Sequence, residues 1–223
     1  MSDSNVVVIT GANRGIGLEL ARHYAAEGCE VIGVCRQSSD ELAGVAAQVV
    51  DGVDITTDAG IDKLKSSLAS KRISLLINNA GLLQDEQLGS IEFDSIRAQM
   101  EINAYAPLRV AEALVPFMGQ GSKIANITSR MGSIADNDSG GRYGYRASKA
   151  ALNAFGKSLA VDLKPKGIAV AQLHPGYVKT RMVNFGGLIT PEESARGLAE
   201  RIANLTLENT GSFWHSNGEE LPW

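Results

Sequence analysis

The sequence predicts an α/β protein, a mostly parallel sheet wound by helices on both faces. Three observations predict it. Short, continuously apolar runs rich in Val and Ile alternate with longer amphipathic stretches. Runs of that kind suit strands buried on both sides. A glycine-rich turn joins the first run to the first amphipathic stretch, and strand–helix–strand repeats demand right-handed crossovers and a parallel sheet.

The elements follow in order. Val6-Val7-Val8-Ile9 is the first strand, and a helix runs from about Gly15 to Glu27. Glu30–Cys35 is the second strand, followed by a helical stretch over Asp40–Gln48. Val49–Ile55 is the third strand, and Asp58–Ser70 a helix with Asp58 near its N-cap. Ile73–Asn78 is the fourth strand; the long helix Ser95–Met118 after it must accommodate Pro107. Lys123–Thr128 is the fifth strand. The helix Tyr143–Leu163 stops at Lys164-Pro165-Lys166-Gly167. Ile168–Leu173 is the sixth strand. Pro191–Leu205 is a helix with Thr190 as N-cap, Glu193 three residues on and Pro at the first position. Gly211–His215 is a last short strand. With no repeat and no low-complexity linker, residues 1–223 read as one domain.

Composition excludes several classes. The 223 residues carry a net charge of −4, against broad binding to nucleic acid or anionic membrane. No apolar run reaches the ~18 residues of a membrane span, and the polar opening Met1–Asn5 does not read as a signal peptide. The two cysteines, Cys29 and Cys35, read as reduced thiols of a cytoplasmic protein. His23, His174 and His215 are too dispersed for metal-ligand spacing, so no metal is expected.

The turn Thr10-Gly11-Ala12-Asn13-Arg14-Gly15-Ile16-Gly17 spaces its glycines G-x-x-x-G-x-G. Gly11 permits a tight turn, Gly15 lets the backbone approach a pyrophosphate, and Gly17 lets helix and strand pack closely. The helix N-terminus behind it offers free N–H groups and a positive dipole end to phosphate. A merely structural strand-to-helix turn would also use glycine, but this one follows the first strand of a βαβ array, where a dinucleotide binds. In such folds an acid at the tip of the second strand holds the 2′-hydroxyl of NAD, and a base there accepts the 2′-phosphate of NADP. The second strand here ends Val34-Cys35-Arg36-Gln37-Ser38-Ser39 without a carboxylate. Arg36, helped by Arg14, therefore points to NADP(H) over NAD(H).

Tyr145 and Lys149 stand one helical turn apart. Alone the pair is weak, since 5 tyrosines and 9 lysines give about 0.2 such matches by chance. Its weight comes from the other strand tips: Asn78-Asn79-Ala80-Gly81 after the fourth strand, Ser129 after the fifth, Pro175-Gly176 after the sixth with Thr180 four residues on, and Asn103 in the long helix. Ligands of open α/β sheets bind at that edge.

Together these residues resemble the short-chain dehydrogenase/reductase family, in order and spacing and over essentially the whole chain. The resemblance implies a Rossmann fold of about seven strands in the order 3-2-1-4-5-6-7. It implies Tyr145 as general acid/base, Lys149 lowering the phenol pKa and holding the nicotinamide ribose, Ser129 bonding the substrate oxygen, and Asn103 anchoring a relay water. It implies Gly11, Asn13, Arg14, Gly15, Ile16, Gly17 and Arg36 on the cofactor phosphates, Asp54 on adenine, Asn79, Ala80 and Gly81 along the adenine ribose, and Pro175, Gly176, Val178 and Thr180 at the nicotinamide amide.

Some alternatives remain at this point. Tyr143 lacks a lysine four residues on, Asp54 is as well explained by a turn, and Asn103 by a helix kink at Pro107. His174 reads as a strand-end residue with a satisfied ring, and Arg130, Arg142 and Arg146 as solvated charges or a bias toward anionic substrates.

The stretch Arg142–Asn153 and the tail Gly211–Trp223 are similar to the C-factor-like and sniffer-like carbonyl reductase branch. The loop 181–190 is short, which predicts an open substrate pocket. Small residues along the Tyr145 helix (Ala147, Ala150, Ala151, Ala154, Ser158) and the family resemblance imply a homodimer, with a tetramer as the other arrangement. The implied activity is NADPH-dependent hydride transfer to or from a small carbonyl or alcohol. The competing reading is an NADP(H)-binding regulator or signalling protein of the C-factor type with little turnover.

Overall fold

The structure, a computed structural model, describes residues 5–223; Met1–Ser4 of the polar opening lie outside them. Seven parallel strands form one sheet in the order β3-β2-β1-β4-β5-β6-β7. They are β1 Val6–Thr10, β2 Glu30–Val34, β3 Gln48–Val50, β4 Ile73–Asn78, β5 Met118–Ile127, β6 Ala169–His174 and β7 Phe213–His215. The helices are α1 Gly15–Ala26, α2 Asp40–Ala43, α3 Asp58–Ser67, α4 Phe93–Met100, α5 Ala106–Leu114, α6 Tyr143–Leu163 and α7 Pro191–Ala203.

The unbroken apolar character of the strands has a direct cause. Val7, Ile9, Val31, Leu75, Ile77 and Leu173 pack on one face with Leu20 and Tyr24 of α1 and Leu198 and Ile202 of α7. Their strand neighbours Val6, Val8, Ile32, Leu76, Ile124 and Val170 pack on the other face with Leu64 of α3, Val110 and Leu114 of α5 and Leu163 of α6. Successive side chains face opposite ways, and both ways are core.

Several boundaries differ from the sequence reading. Helix α2 ends at Ala43, not Gln48, and the third strand occupies only Gln48–Val50. Residues 51–57 after it form a turn in which the Asp54 carboxylate accepts from Thr56 N and Oγ1, at 3.0 and 2.7 Å. Thr57, not Asp58, caps α3, its side chain accepting from Gly60 N. The long helix after β4 is interrupted: a π-helical turn over Glu101–Tyr105 separates α4 from α5. Pro107 cannot donate an N–H to the carbonyl four residues back, that of Asn103, so the helix widens there. The capping box at Thr190 and Glu193 forms as read. Residues 164–166 make a single 3₁₀ turn that ends at Gly167 with φ +73°.

Candidate active site

The loops after β1, β4, β5 and β6 all open on the carboxyl edge of the sheet, and each carries one part of the site. The glycine loop is braced from its neighbours. Asn79 Nδ2 donates to Thr10 O and Gly11 O at 3.0 and 3.1 Å, and Thr10 Oγ1 accepts from Asn79 N and Ala80 N. Gly17 is required by contact: a Cβ there would lie 2.4 Å from Gly11 O and 2.5 Å from Asn79 Nδ2. Gly11 and Gly15 hold positive φ, and Thr180 Cγ2 lies 3.5 Å from where a Gly15 Cβ would stand. The loop after β6 therefore meets the glycine loop across the cleft.

At the tip of β2, Asn13 Nδ2 donates to Gln37 O at 2.9 Å, and Ser39 Oγ donates to Asn13 O at 3.0 Å. Arg36 and Arg14 flank this junction, both exposed. Neither guanidinium makes a hydrogen bond or ion pair among the described residues. The charge of Arg36 is felt at Asp54, whose carboxyl is lowered first by its bonds to Thr56 and to a smaller extent by that guanidinium.

Ser129, Tyr145 and Lys149 come together behind β5, at 6%, 8% and 4% exposure, whereas Tyr143 is 38% exposed. Ser129 Oγ accepts from Met131 N at 3.1 Å, which fixes the turn after the strand, and the Ser129 side chain stands near enough to the Tyr145 phenol to lower it. Lys149 Nζ donates to Ile127 O at 2.9 Å and lies 5.8 Å from the centroid of the Tyr145 ring.

Burial raises the phenol above its ordinary value, against smaller lowering effects of the Ser129 hydroxyl and the Arg142 charge. Among the charged groups around it, Arg142 lowers the phenol. The lysine is turned to a backbone carbonyl, and burial pushes its ammonium down to about 8.

Asn103 is fully buried in the π-turn. Its Oδ1 accepts from Leu82 N at 2.8 Å, and its Nδ2 donates to Leu82 O at 2.7 Å and to Ser148 Oγ at 3.0 Å. Both amide hydrogens are spent on protein, so the side chain ties the loop after β4 to α6. Gly81 lies at the same place: a Cβ there would come within 3.3 Å of Asn103 Oδ1, 3.8 Å of Lys149 Nζ and 3.8 Å of Met182 Cε.

After β6, Pro175 O accepts from Ser194 Oγ and Ser216 Oγ at 2.7 and 3.2 Å, and Gly176 holds φ +89°. Val178 is buried and bridges to Ile189, which closes the short loop 181–190 on itself. The His174 ring stands edge-on to His215 at 4.7 Å, but its Nδ1 is buried without a partner, so the ring is not satisfied as expected. Burial first, then the neighbouring positive groups, hold His174 neutral, down to about 3.

Among the described residues no group of three His, Cys, Asp or Glu could hold a metal, and no helix is long and apolar enough to cross a membrane. Arg130 is engaged by Asp136 and Glu219, and Arg142 by Asp85, so neither is a free cation for an anionic substrate. The sequence reading missed Ser148, Gln99 and Glu86, all buried and linked to the helix that carries Tyr145. Their signal was a polar residue at every fourth position, Ser95, Gln99 and Asn103, facing a loop with Gln84 and Glu86.

Residues 5–186 match the family described as short chain dehydrogenase. The chain is 40% identical over 225 residues to 1-hydroxy-2-glutathionyl-2-methyl-3-butene dehydrogenase of Rhodococcus sp. (strain AD45), covering 98% of this chain and 100% of that protein. It is 41% identical over 154 residues to the C-signal of Myxococcus xanthus, covering 68% of this chain and 93% of that protein. Among solved structures, the NADPH-bound carbonyl reductase from chicken fatty liver superposes with a TM-score of 0.89 at 30% identity, covering 99% of each chain.

Proposed function

The chain belongs to the short-chain dehydrogenase family, and from that premise we propose that it is an NADP(H)-dependent carbonyl reductase with Tyr145 as its general acid/base. The observation that carries this reading is the burial of Ser129, Tyr145 and Lys149 together at the carboxyl edge of the sheet, beside a braced glycine loop.

The residues present fit the dinucleotide. The loop closes so tightly that Gly17 has no room for a Cβ, and the exposed guanidinia of Arg36 and Arg14 are free to take a 2′-phosphate. Gly11, Asn13, Gly15 and Ile16 would present the helix N-terminus to the pyrophosphate. Asp54, already engaged in its turn through Oδ1, would reach adenine through its other oxygen. Asn79, Ala80 and Gly81 would line the adenine ribose, and Pro175, Gly176, Val178 and Thr180 the nicotinamide amide. When bound, the nicotinamide supplies the hydride.

The chain's own groups handle the proton. Tyr145 donates it to the substrate oxygen while Ser129 holds that oxygen by a hydrogen bond. The phenol, raised further by burial, is protonated at neutral pH, the form that a proton donor to a carbonyl needs. Lys149, within reach of the cleft beside Gly81, would donate to the nicotinamide ribose when the cofactor is bound. Asn103 holds the loop and helix that frame the pair. The adjacent rings of Tyr105 and Phe155, with exposed Phe93 and Val161 on the same group of helices, support a homodimer through α4, α5 and α6. The two free cysteines support a cytoplasmic setting.

The test is NADPH oxidation by the purified protein against aldehydes, ketones and quinones, wild type beside Tyr145→Phe. Turnover that the substitution abolishes supports the reductase. NADPH binding without turnover, equal in both proteins, favours the second reading, a nucleotide-binding regulator, to which the similarity with C-signal points.

A further inference from the structure

A carboxylate is rarely buried unless it is paired with a cation. Glu86 is 3% exposed inside a loop of otherwise largely exposed residues, and among the described residues no cation pairs with it. The nearby Arg142 guanidinium goes to Asp85 instead, at 2.5 Å. Three neutral donors hold Glu86: Ser95 Oγ and Gln99 Nε2 donate to Oε1, each at 2.5 Å, and Gly144 N donates to Oε2 at 3.0 Å.

The Ser95 and Gln99 contacts belong to a longer pattern. The loop after β4 runs antiparallel to α4 and its π-turn, with alternate loop residues lashed to every fourth helical residue. Asn103 holds both backbone groups of Leu82, Gln99 Oε1 accepts from Gln84 N at 3.0 Å, and Ser95 and Gln99 hold Glu86. The spacings match, since two extended residues span about 6.6 Å and four helical ones about 6 Å.

Both ends of this zipper reach α6 on either side of Tyr145. Glu86 takes Gly144 N, one residue before it, and Asn103 takes Ser148 Oγ, which itself donates to Tyr145 O at 2.9 Å. Arg142, the N-cap of α6, is in the left-handed region and offers no side-chain cap. Glu86 supplies the missing acceptor from a distant part of the chain, where a negative group also meets the positive end of a 21-residue helix. There is no slack at this contact: a Cβ on Gly144 would lie 2.8 Å from Glu86 Oε1 and 2.6 Å from Gln99 Nε2.

We infer that Glu86 is a positioning residue for the reaction, a buried cap that fixes the first turn of α6 and with it the placement of the Tyr145 hydroxyl. This rests on the role proposed above for Tyr145. A misplacement of the acid by about 1 Å costs on the order of 100-fold in rate.

The experiment compares full-length wild type, Glu86→Ala, Glu86→Gln and Tyr145→Phe. It measures turnover of 4-nitrobenzaldehyde with NADPH, the NADPH Kd, and the ¹³Cζ resonances of labelled tyrosines, with the Tyr145 line assigned by its loss in Tyr145→Phe. Glu86→Ala is expected to lower kcat about 10- to 100-fold, to leave KM and the NADPH Kd within about twofold, and to displace the Tyr145 line. Glu86→Gln can still accept from Gly144 but presents an amide to Gln99, so it falls between the two.

Wild-type kcat together with an unmoved Tyr145 line overturns the inference. So does a loss confined to cofactor binding or to the folded fraction. If wild type itself turns nothing over, the reductase reading falls while the Tyr145 line still judges the cap: displaced in Glu86→Ala it stands, unmoved it fails. Should Glu86→Ala not fold, Glu86→Gln decides, an intermediate kcat with a displaced line supporting the cap and wild-type values refuting it.

Discussion

Replacing Lys149 by Met separates what the lysine does for the reaction from what it costs the fold. Lys149 is 4% exposed, and its ammonium faces one backbone carbonyl, with no carboxylate paired to it among the described residues. Burial pushes it down from 10.5 to about 8. At ~1.4 kcal/mol for each tenfold change in proton affinity, keeping it charged in the fold costs about 3 kcal/mol.

Below about 8 the lysine is protonated folded and unfolded, and the fold carries the whole cost. Between about 8 and 10.5 the unfolded chain binds a proton that the folded chain does not, so stability rises with pH. Above 10.5 both states are neutral and the cost is gone. Methionine fills similar space but does not titrate. Its loss of the Ile127 hydrogen bond offsets the stability curve without tilting it.

Urea unfolding of both proteins at several pH values isolates the lysine, because Tyr24, Cys29 and Cys35 titrate in each. Between about pH 8 and about pH 9.5 the wild type is expected to gain about 2 kcal/mol on Lys149→Met. Parallel curves across that window would refute the reasoning and mean that the ammonium is paired or wet in solution.

Two further outcomes follow from the cofactor end. Arg36→Ala removes a free guanidinium from the tip of β2 and is expected to weaken NADPH binding about 10- to 100-fold, the equivalent of one charge-assisted contact, while NADH binding stays unchanged; fluorescence titration of both nucleotides checks it. Gly17→Ala drives a Cβ to within 2.4 Å of Gly11 O, so the loop must shift. A loss of about 1–3 kcal/mol in stability, read by urea unfolding, together with weaker NADPH binding is expected.

The fold was legible because its signals are local. Strands buried on both faces are continuously apolar, and the glycine loop, the stop at Lys164–Gly167 and the capping box at Thr190 are each written in a few adjacent residues. Where those signals compete, boundaries slip. Pro107 marks the helix break, but its outcome as a π-turn depends on how the Asn103 segment packs. Asp54 lies where a third strand would continue, and its hydrogen bonds to Thr56 turn the chain instead.

The site was legible at strand tips, where Ser129, Pro175 and the glycine loop sit next to their elements, and through the helical spacing of Tyr145 and Lys149. Glu86 was not legible. In Gln84-Asp85-Glu86-Gln87 it resembles any solvated loop carboxylate, and only its contacts with Ser95, Gln99 and Gly144, the last 58 residues away, bury it. The direction of Lys149 was equally hidden, because its partner is a backbone carbonyl of a different element. Arg142 read as a solvated charge or a bias toward anionic substrates, and tertiary pairing with Asp85 engages it.

The proton-donating role of Tyr145 is tested most directly by single-turnover oxidation of bound NADPH, at saturating cofactor and a carbonyl that the wild type reduces. The expected result is that Tyr145→Phe slows hydride transfer by about 10²- to 10⁴-fold, the usual worth of a positioned general acid, with NADPH affinity unchanged. Equal rates in the two proteins would contradict it and move the proton source elsewhere in the cleft.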